Sequence, residues 1–241
     1  MVRQIKKTKT RKREKTKKIE QTTFLQKVFY FFQENARTFI YAISIILIIG
    51  VAAGIFLYTK KQSERNAAER FYQVLKIYWQ SEEGKEEDMA KYLKAFREFQ
   101  GIVNEYPGTR YAGWSLVYMG NCNLHLKNYK KAIESYDQYI KESKEADIFT
   151  ADAYHGKGIA YIEEGKYPEA IKAYKDILKA GKGPLEEKLL WETGWCYEKI
   201  GDNKNALDFY KRIVKDHPAS SFKSDAEKKV KVLEQVNQQN L

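Results

Sequence analysis

Histidine, cysteine and paired carboxylates are the side chains that could give this chain acid–base, nucleophilic or metal chemistry. The three histidines are His125, His155 and His217, and no two lie four residues apart, as metal ligands on one helix face would. Two cysteines, Cys122 and Cys196, are too few for a disulfide scaffold or a cysteine-rich metal framework. The sequence contains no phosphate-binding loop, no G-x-S-x-G and no H-E-x-x-H. It therefore predicts no catalytic residues, no metal and no cofactor, in a protein that is not an enzyme.

The positive charge of the chain is concentrated at its N-terminal end. The net charge is +11 over 241 residues, and residues 1–61 hold 14 lysines and arginines against 3 acidic residues. The other residues hold 29 basic and 29 acidic side chains, so they carry no excess charge. Residues 1–21 include ten lysines and arginines and little apolar surface, which predicts a disordered basic tail. Because the rest of the chain is neutral, nucleic acid is not an expected partner.

An uncharged apolar segment follows the basic tail at residues 39–58. As a helix its 20 residues would be about 30 Å long, the thickness of the hydrocarbon core of a bilayer. The sequence predicts a transmembrane helix here, and it favours an uncleaved signal anchor over a cleavable signal peptide, because the preceding segment is too long. Residues 22–38 predict an amphipathic juxtamembrane segment, either an interfacial helix or an extension of the span.

The charge around this span predicts its orientation. Basic residues dominate before it, whereas basic and acidic residues alternate after it, so residues 1–21 are expected in the cytoplasm and residues 62–241 outside it. Gly50 and Gly54 form a G-x-x-x-G pattern within the span, where small residues let two helices approach closely. Homo-oligomerisation or partner packing through this pair is one interpretation, and ordinary glycine usage in membrane helices is the other.

A repeat of glycine, alanine and tyrosine occupies the C-terminal part of the chain. Gly120, Gly158 and Gly194 are each followed twelve residues later by alanine, and that alanine four residues later by tyrosine. The alanines and tyrosines are Ala132, Ala170, Ala206, Tyr136, Tyr174 and Tyr210. In this register the chain resembles the tetratricopeptide repeat (TPR), a helix–turn–helix unit. The small residues are expected where the two helices of a unit cross, and the tyrosines between units.

A fourth, degenerate unit is predicted before these three. Its first helix is expected near residues 66–79, and Ala95 and Phe99 fit its second helix. A last helix near residues 221–237 has the charged surface of a capping helix. The predicted fold is therefore all-α: one N-terminal transmembrane helix, then a TPR-like α-solenoid of about four helix pairs with a C-terminal capping helix.

The order of tail, anchor and repeats resembles the YfgM-type TPR proteins of the bacterial inner membrane, ancillary subunits of the Sec translocon. This resemblance implies a periplasmic TPR domain, residues 62–241, that contacts the translocon, translocating chains or periplasmic chaperones. The implied function is a membrane-anchored adaptor for proteins or peptides. A structural scaffold of a membrane complex, without a groove ligand, is the alternative, and a cytosolic TPR receptor on a eukaryotic organelle is disfavoured by the charge pattern.

The resemblance also implies which residues line the concave face, since the first helix of each TPR unit faces it. The predicted groove residues are Trp114, Val117, Asn121, Leu124, Asp152, His155, Ile159, Lys188, Trp191 and Trp195. The family's clamp for a terminal carboxylate is mostly missing, so an apolar or mixed segment is the expected ligand. For the tryptophans two interpretations stay open: anchors for a ligand, or packing against the neighbouring unit or the capping helix.

Overall fold

The computed structural model describes residues 23–80, 86–143, 147–179, 181, 183 and 185–239. This described part is helical with short turns and no strand, which confirms the all-α class. Residues 23–34 form α1, and the following helices are α2 (Ala36–Trp79), α3 (Glu86–Glu105), α4 (Arg110–His125), α5 (Tyr129–Glu142), α6 (Ile148–Glu163), α7 (Tyr167–Lys179), α8 (Glu186–Lys199), α9 (Asn203–Asp216) and α10 (Lys223–Gln239). The predicted basic tail, residues 1–21, lies outside the described residues.

The chain divides into two units, Met1–Thr59 and Lys60–Leu241. In the first unit, the apolar side chains of residues 40–58 are exposed, and no residue of the most apolar stretch is buried. Among the described helices, α2 is the one that is long and apolar enough to cross a membrane. A Cβ atom added at Gly50 or Gly54 would meet no other atom within 4 Å, so this face of the helix is open.

The second unit is a stack of antiparallel helix pairs. The 60–79 part of α2 pairs with α3, where the rings of Phe71 and Phe99 lie 5.6 Å apart. The following pairs are α4 with α5, α6 with α7, and α8 with α9, each packed on the next, and α10 covers α9. This arrangement confirms the solenoid of four pairs and its capping helix. The first repeat helix has no start of its own, because α2 runs through from the apolar segment without a break.

The glycine–alanine–tyrosine repeat marks the places where helices cross. Tyr136, Tyr174 and Tyr210 are completely buried, as are Ala132, Ala170 and Ala206. Each tyrosine ring lies against the glycine of its own unit, so that a Cβ atom at Gly120, Gly158 or Gly194 would overlap the ring or press against it. Tyr136 also lies against Gly156 of the next unit. The tyrosines therefore pack the two helices of a unit together, and Tyr136 also joins two units.

The turn inside each unit uses one backbone conformation at one repeat position. Gly165 and Gly201 have φ angles of +72° and +78°, which glycine adopts without steric cost. The corresponding residue of the earlier unit is Lys127, with a φ of 58°, and a side chain makes this conformation unfavourable. The repeat thus sets the turn geometry even where glycine is missing.

Candidate functional site

The first helices of the three clear units, α4, α6 and α8, carry the predicted groove residues. Helices α4 and α6 pack directly on each other, and side chains of α6 and α8 are in contact. Most predicted residues are half-buried: Trp114, Asn121, Leu124, Asp152, His155, Ile159, Trp191 and Trp195. Lys188 is exposed, whereas Val117 is only 1% exposed and belongs to the core. Val117 is therefore unavailable to a ligand, because neighbouring core side chains cover it.

Trp114 lies among aromatic rings of two neighbouring units. Its ring stacks on Phe149 at the start of α6, with centroids 4.6 Å apart, and lies 5.0 Å from Tyr111. The guanidinium of Arg110 sits over the same ring at 5.8 Å. One face of Trp114 thus joins unit to unit, and the remaining exposed part adjoins a cation.

The two tryptophans of α8 lie in different environments. Trp191 stacks on Phe222 at the start of α10, with centroids 5.6 Å apart and planes 22° apart, and lies 5.1 Å from Tyr210. Trp195 contacts Tyr167 edge to face at 5.8 Å, and the Lys199 ammonium lies 4.9 Å from its ring centre. Trp191 is therefore tied to the capping helix, while Trp195 lies beside a charged surface side chain.

A polar pair links α6 and α8 between these aromatic positions. His155 Nε2 lies 3.1 Å from Oε1 of Glu192 and 3.0 Å from Oε2, and both side chains are mostly buried. Burial alone would raise the pKa of Glu192, but the hydrogen bond and charge of His155, together with Tyr174 and the charge of Lys188, lower it. The carboxylate is therefore held in its charged form. Glu192 occupies the repeat position that Gly156 occupies in the preceding unit.

Asp152 and Lys188 lie beside this pair. Burial raises the pKa of the Asp152 carboxyl, against the opposing charges of His155 and Lys188. Asn121 is engaged by the chain itself, since its Oδ1 accepts a hydrogen bond from the Tyr136 hydroxyl at 2.6 Å. The middle of this face is thus polar and partly satisfied, with aromatic side chains on either side of it.

No group of three histidine, cysteine or carboxylate side chains suitable for a metal is found among the residues that the structure describes. Cys122 and Cys196 are buried and free, and burial raises the pKa of each thiol to about 12, so neither is a ready nucleophile.

Two features were missed by reasoning from the sequence. Tyr72 and Trp79 of α2 are 55% and 70% exposed, and the sequence pattern assigned no role to either side chain of this first repeat helix. His217 lies 3.6 Å from carboxylates of both Glu186 and Glu187, which ties the end of α9 to the start of α8. The seven-residue spacing of Tyr72 and Trp79 was the available signal for the first feature.

Comparison with known families matches both halves of the chain to tetratricopeptide repeats. The family described as "Tetratricopeptide repeat-like domain" matches residues 30–151, about half of the chain, and "Tetratricopeptide repeat" matches residues 155–221. Nearly the whole described chain is thus assigned to repeats of this type.

Curated relatives resemble only part of this chain. The human intraflagellar transport protein 88 homolog is 28% identical over 127 residues, which are 51% of this chain and 15% of the relative. The heat shock protein sti1 homolog of Schizosaccharomyces pombe is 29% identical over 118 residues, 46% of this chain and 19% of the relative. The chain thus spans less than a fifth of the length of either relative.

Solved structures share the fold at low sequence identity. A tetratricopeptide repeat protein from Parabacteroides merdae superposes with a TM-score of 0.54 at 14% identity, covering 72% of this chain and 60% of that one. A set of TPR-like repeats from Podosopora anserina, which are nearly identical to one another, superposes with a TM-score of 0.55 at 13% identity and covers 73% of this chain and 89% of that one. These likenesses show the solenoid fold alone.

Proposed function

Because this chain belongs to the tetratricopeptide repeat-like family, we propose that it is a membrane-anchored adaptor that binds a protein or peptide on the concave face of its repeats. TPR proteins bind protein partners, and families with this fold are typically non-enzymatic scaffolds. The proposed site is the row of half-buried side chains on α4, α6 and α8, together with the exposed Lys188.

The observation that carries this proposal is the uncovered apolar stretch of α2. An 18-residue apolar window without a buried residue is costly in water, and a bilayer would cover it. The same helix continues into the first repeat, so an anchor at this position would hold the repeats at a membrane surface.

We place the repeats on the extracytoplasmic side of a bacterial inner membrane. The support is the distribution of basic residues, which dominate before the span and are balanced by acidic residues after it. A role in Sec-dependent secretion or periplasmic chaperoning follows from the resemblance in layout, and the similarity to a heat shock protein fits a task beside chaperones.

A scaffold without a groove ligand is the second candidate, and one observation favours it. Trp114 stacks on Phe149 and Trp191 stacks on Phe222, so two of the three predicted anchors already join neighbouring units. In that case the partner would contact the outer surface of the solenoid or the span.

Site-specific photo-crosslinking in the native membrane distinguishes these candidates. A photoreactive residue at Ile159 or Lys188 reports on the concave face, and one at Gln138 or Lys172, both exposed on second helices, is the matched control. Protein adducts from the first pair alone support the adaptor, whereas adducts from the second pair alone favour the scaffold.

Protease treatment of spheroplasts tests the orientation separately. Added protease should degrade residues 62–241 and spare the N-terminal tail. A repeat domain that stays intact until the membrane is lysed would overturn the extracytoplasmic placement and the link to secretion.

A further inference from the structure

The 60–79 part of helix α2 carries two large aromatic side chains that are mostly exposed. Trp79 is 70% exposed, whereas the other three tryptophans are half-buried. Tyr72 is 55% exposed. Exposed aromatic surface of this size is costly unless a partner covers it, and tryptophan and tyrosine are the side chains that most often anchor protein interfaces.

Two cations share the face of these aromatic side chains. Residues seven apart on a helix differ by only about 20° in direction, so Arg65, Tyr72 and Trp79 form one line, and Lys76 is within about 40° of Tyr72. Arg65 and Lys76 are both exposed, and neither forms an ion pair within the described residues. We call Arg65, Tyr72, Lys76 and Trp79 the α2 stripe.

The core fixes the direction in which the α2 stripe faces. Phe71, Val74 and Tyr78 lie on the other side of the helix and are buried, with exposures of 2%, 2% and 8%. The Tyr72 ring lies 6.0 Å from Tyr111 at the start of α4. The stripe is therefore outward-facing and continuous with the aromatic edge of the next unit, where Arg110 adds another exposed cation.

The neighbouring charged side of α2 is already neutralised by the chain. Arg70 pairs with Glu98 and Glu105 of α3, and Gly101 leaves the space in which its guanidinium lies. Arg70 and Glu98 border a cavity of about 370 Å³, which Glu69 also lines. In this part of α2 the stripe therefore presents two exposed cations, Arg65 and Lys76, and one exposed carboxylate, Glu69, lies within about 40° of Arg65 on the same face.

We propose that the α2 stripe is a docking surface for an acidic segment of a partner protein. Apolar side chains of that segment would cover Tyr72 and Trp79, and its carboxylates would meet Arg65 and Lys76. Lys76 lies between the two exposed rings and Arg65 precedes Tyr72 on the same face, so an acidic segment fits these cations better than a basic or uncharged one. This surface lies on the first helix pair of the repeats, outside the proposed groove on α4, α6 and α8. The proposal rests on the proposed function only in taking a protein as the partner.

The test uses the full chain in nanodiscs of uncharged lipid and three fluorescein-labelled synthetic peptides. The first has Phe and Leu spaced among Glu, the second has Lys in place of Glu, and the third has Ser in place of Phe and Leu. The first peptide should bind best by fluorescence anisotropy, and added salt should weaken it because the cations are solvent-exposed. Equal binding of the first and second peptides, or no binding of either, would overturn the proposal.

Variants locate the binding. Trp79→Ser should weaken the first peptide roughly 30-fold, the effect of losing an interface tryptophan. Lys76→Glu should shift the preference toward the Lys peptide, whereas Lys172→Glu, an exposed control on α7, should not. Trp195→Ala, in the proposed groove, reports whether the peptide binds there instead.

The outcomes separate this proposal from the groove. Loss of binding in Trp195→Ala but not in Trp79→Ser would overturn the α2 stripe and support the groove. Loss in Trp79→Ser alone supports the stripe, whatever crosslinking at Ile159 shows. A change in the tryptophan fluorescence of the chain on adding anionic lipid, without peptide, that Trp79→Ser abolishes would assign the stripe to the membrane and overturn the proposal.

Discussion

Replacing Gly158 by alanine tests the repeat register directly. A Cβ atom at this position would overlap the Tyr174 ring, whose hydroxyl oxygen would be only 2.7 Å away. The ring is completely buried, so it cannot turn aside into solvent. Alanine gains about 1 kcal/mol over glycine in a helix interior, whereas overpacking a core costs about 1–3 kcal/mol and more where nothing can move. We expect a net loss of about 2 kcal/mol.

Gly113→Ala is the matched control on α4. Its Cβ atom would lie 3.5 Å from Tyr139, an ordinary van der Waals contact, so the helix gain should remain. In the Lys60–Leu241 fragment, a change of 1 kcal/mol shifts the Tm by about 3 °C. Thermal unfolding followed by circular dichroism should therefore show Gly158→Ala lowered by about 6 °C and Gly113→Ala raised by about 3 °C. A Gly158→Ala variant that melts at or above the parent temperature would refute the crossing geometry.

Three further predictions follow from the packing and from the shifted pKa values. Trp191→Ala should lower the Tm more than Trp195→Ala, because Trp191 stacks on Phe222 and lies against Tyr210, whereas Trp195 lies beside a charged surface side chain; equal melting temperatures would contradict this difference. Cys122 and Cys196 should react with maleimide only after unfolding, as measured by mass spectrometry, and rapid labelling of the native chain would contradict their burial. Because the pKa of Glu192 is lowered in the folded state, the carboxylate stabilises the fold at neutral pH, and this stabilisation is lost as the pH falls through that pKa, below 4.5. Glu192→Gln should thus lower the free energy of unfolding, measured with urea, by about 1.5–3 kcal/mol at pH 7 and by progressively less in acid. A difference that does not depend on pH would contradict the His155 contact.

The helix pairs could be predicted because their determinants are local and repeated. Gly120, Gly158 and Gly194 each need a small residue where a tyrosine crosses, and this need recurs at the same spacing in every unit. The apolar stretch of α2 was equally readable, since an uninterrupted run of apolar residues is a property of composition. The number of helix pairs and the capping helix could also be predicted, because each leaves its own spacing of small, apolar and charged residues in the sequence.

The solvent exposure of individual side chains could not be predicted in the same way. Repeat position indicates the face on which a residue lies, but burial depends on what the next unit places against it. Val117 and His155 hold the same repeat position, yet Val117 is covered by the core and His155 meets Glu192. Trp191 has that position too, and Phe222 of the chain beyond the repeats covers it.

Sequence by itself determined the helices, their pairing and the long apolar segment of α2, because those follow from periodicity and composition along the chain. The tertiary structure alone decided which surface is open. Trp79 and Tyr72 are mostly exposed because no helix pair among the described residues covers this face of α2 completely. Trp114 is partly covered by Phe149 of the next unit, and Trp191 by Phe222 beside the capping helix. Exposure is a property of neighbours that are distant in sequence, and only the stacked units bring those neighbours together.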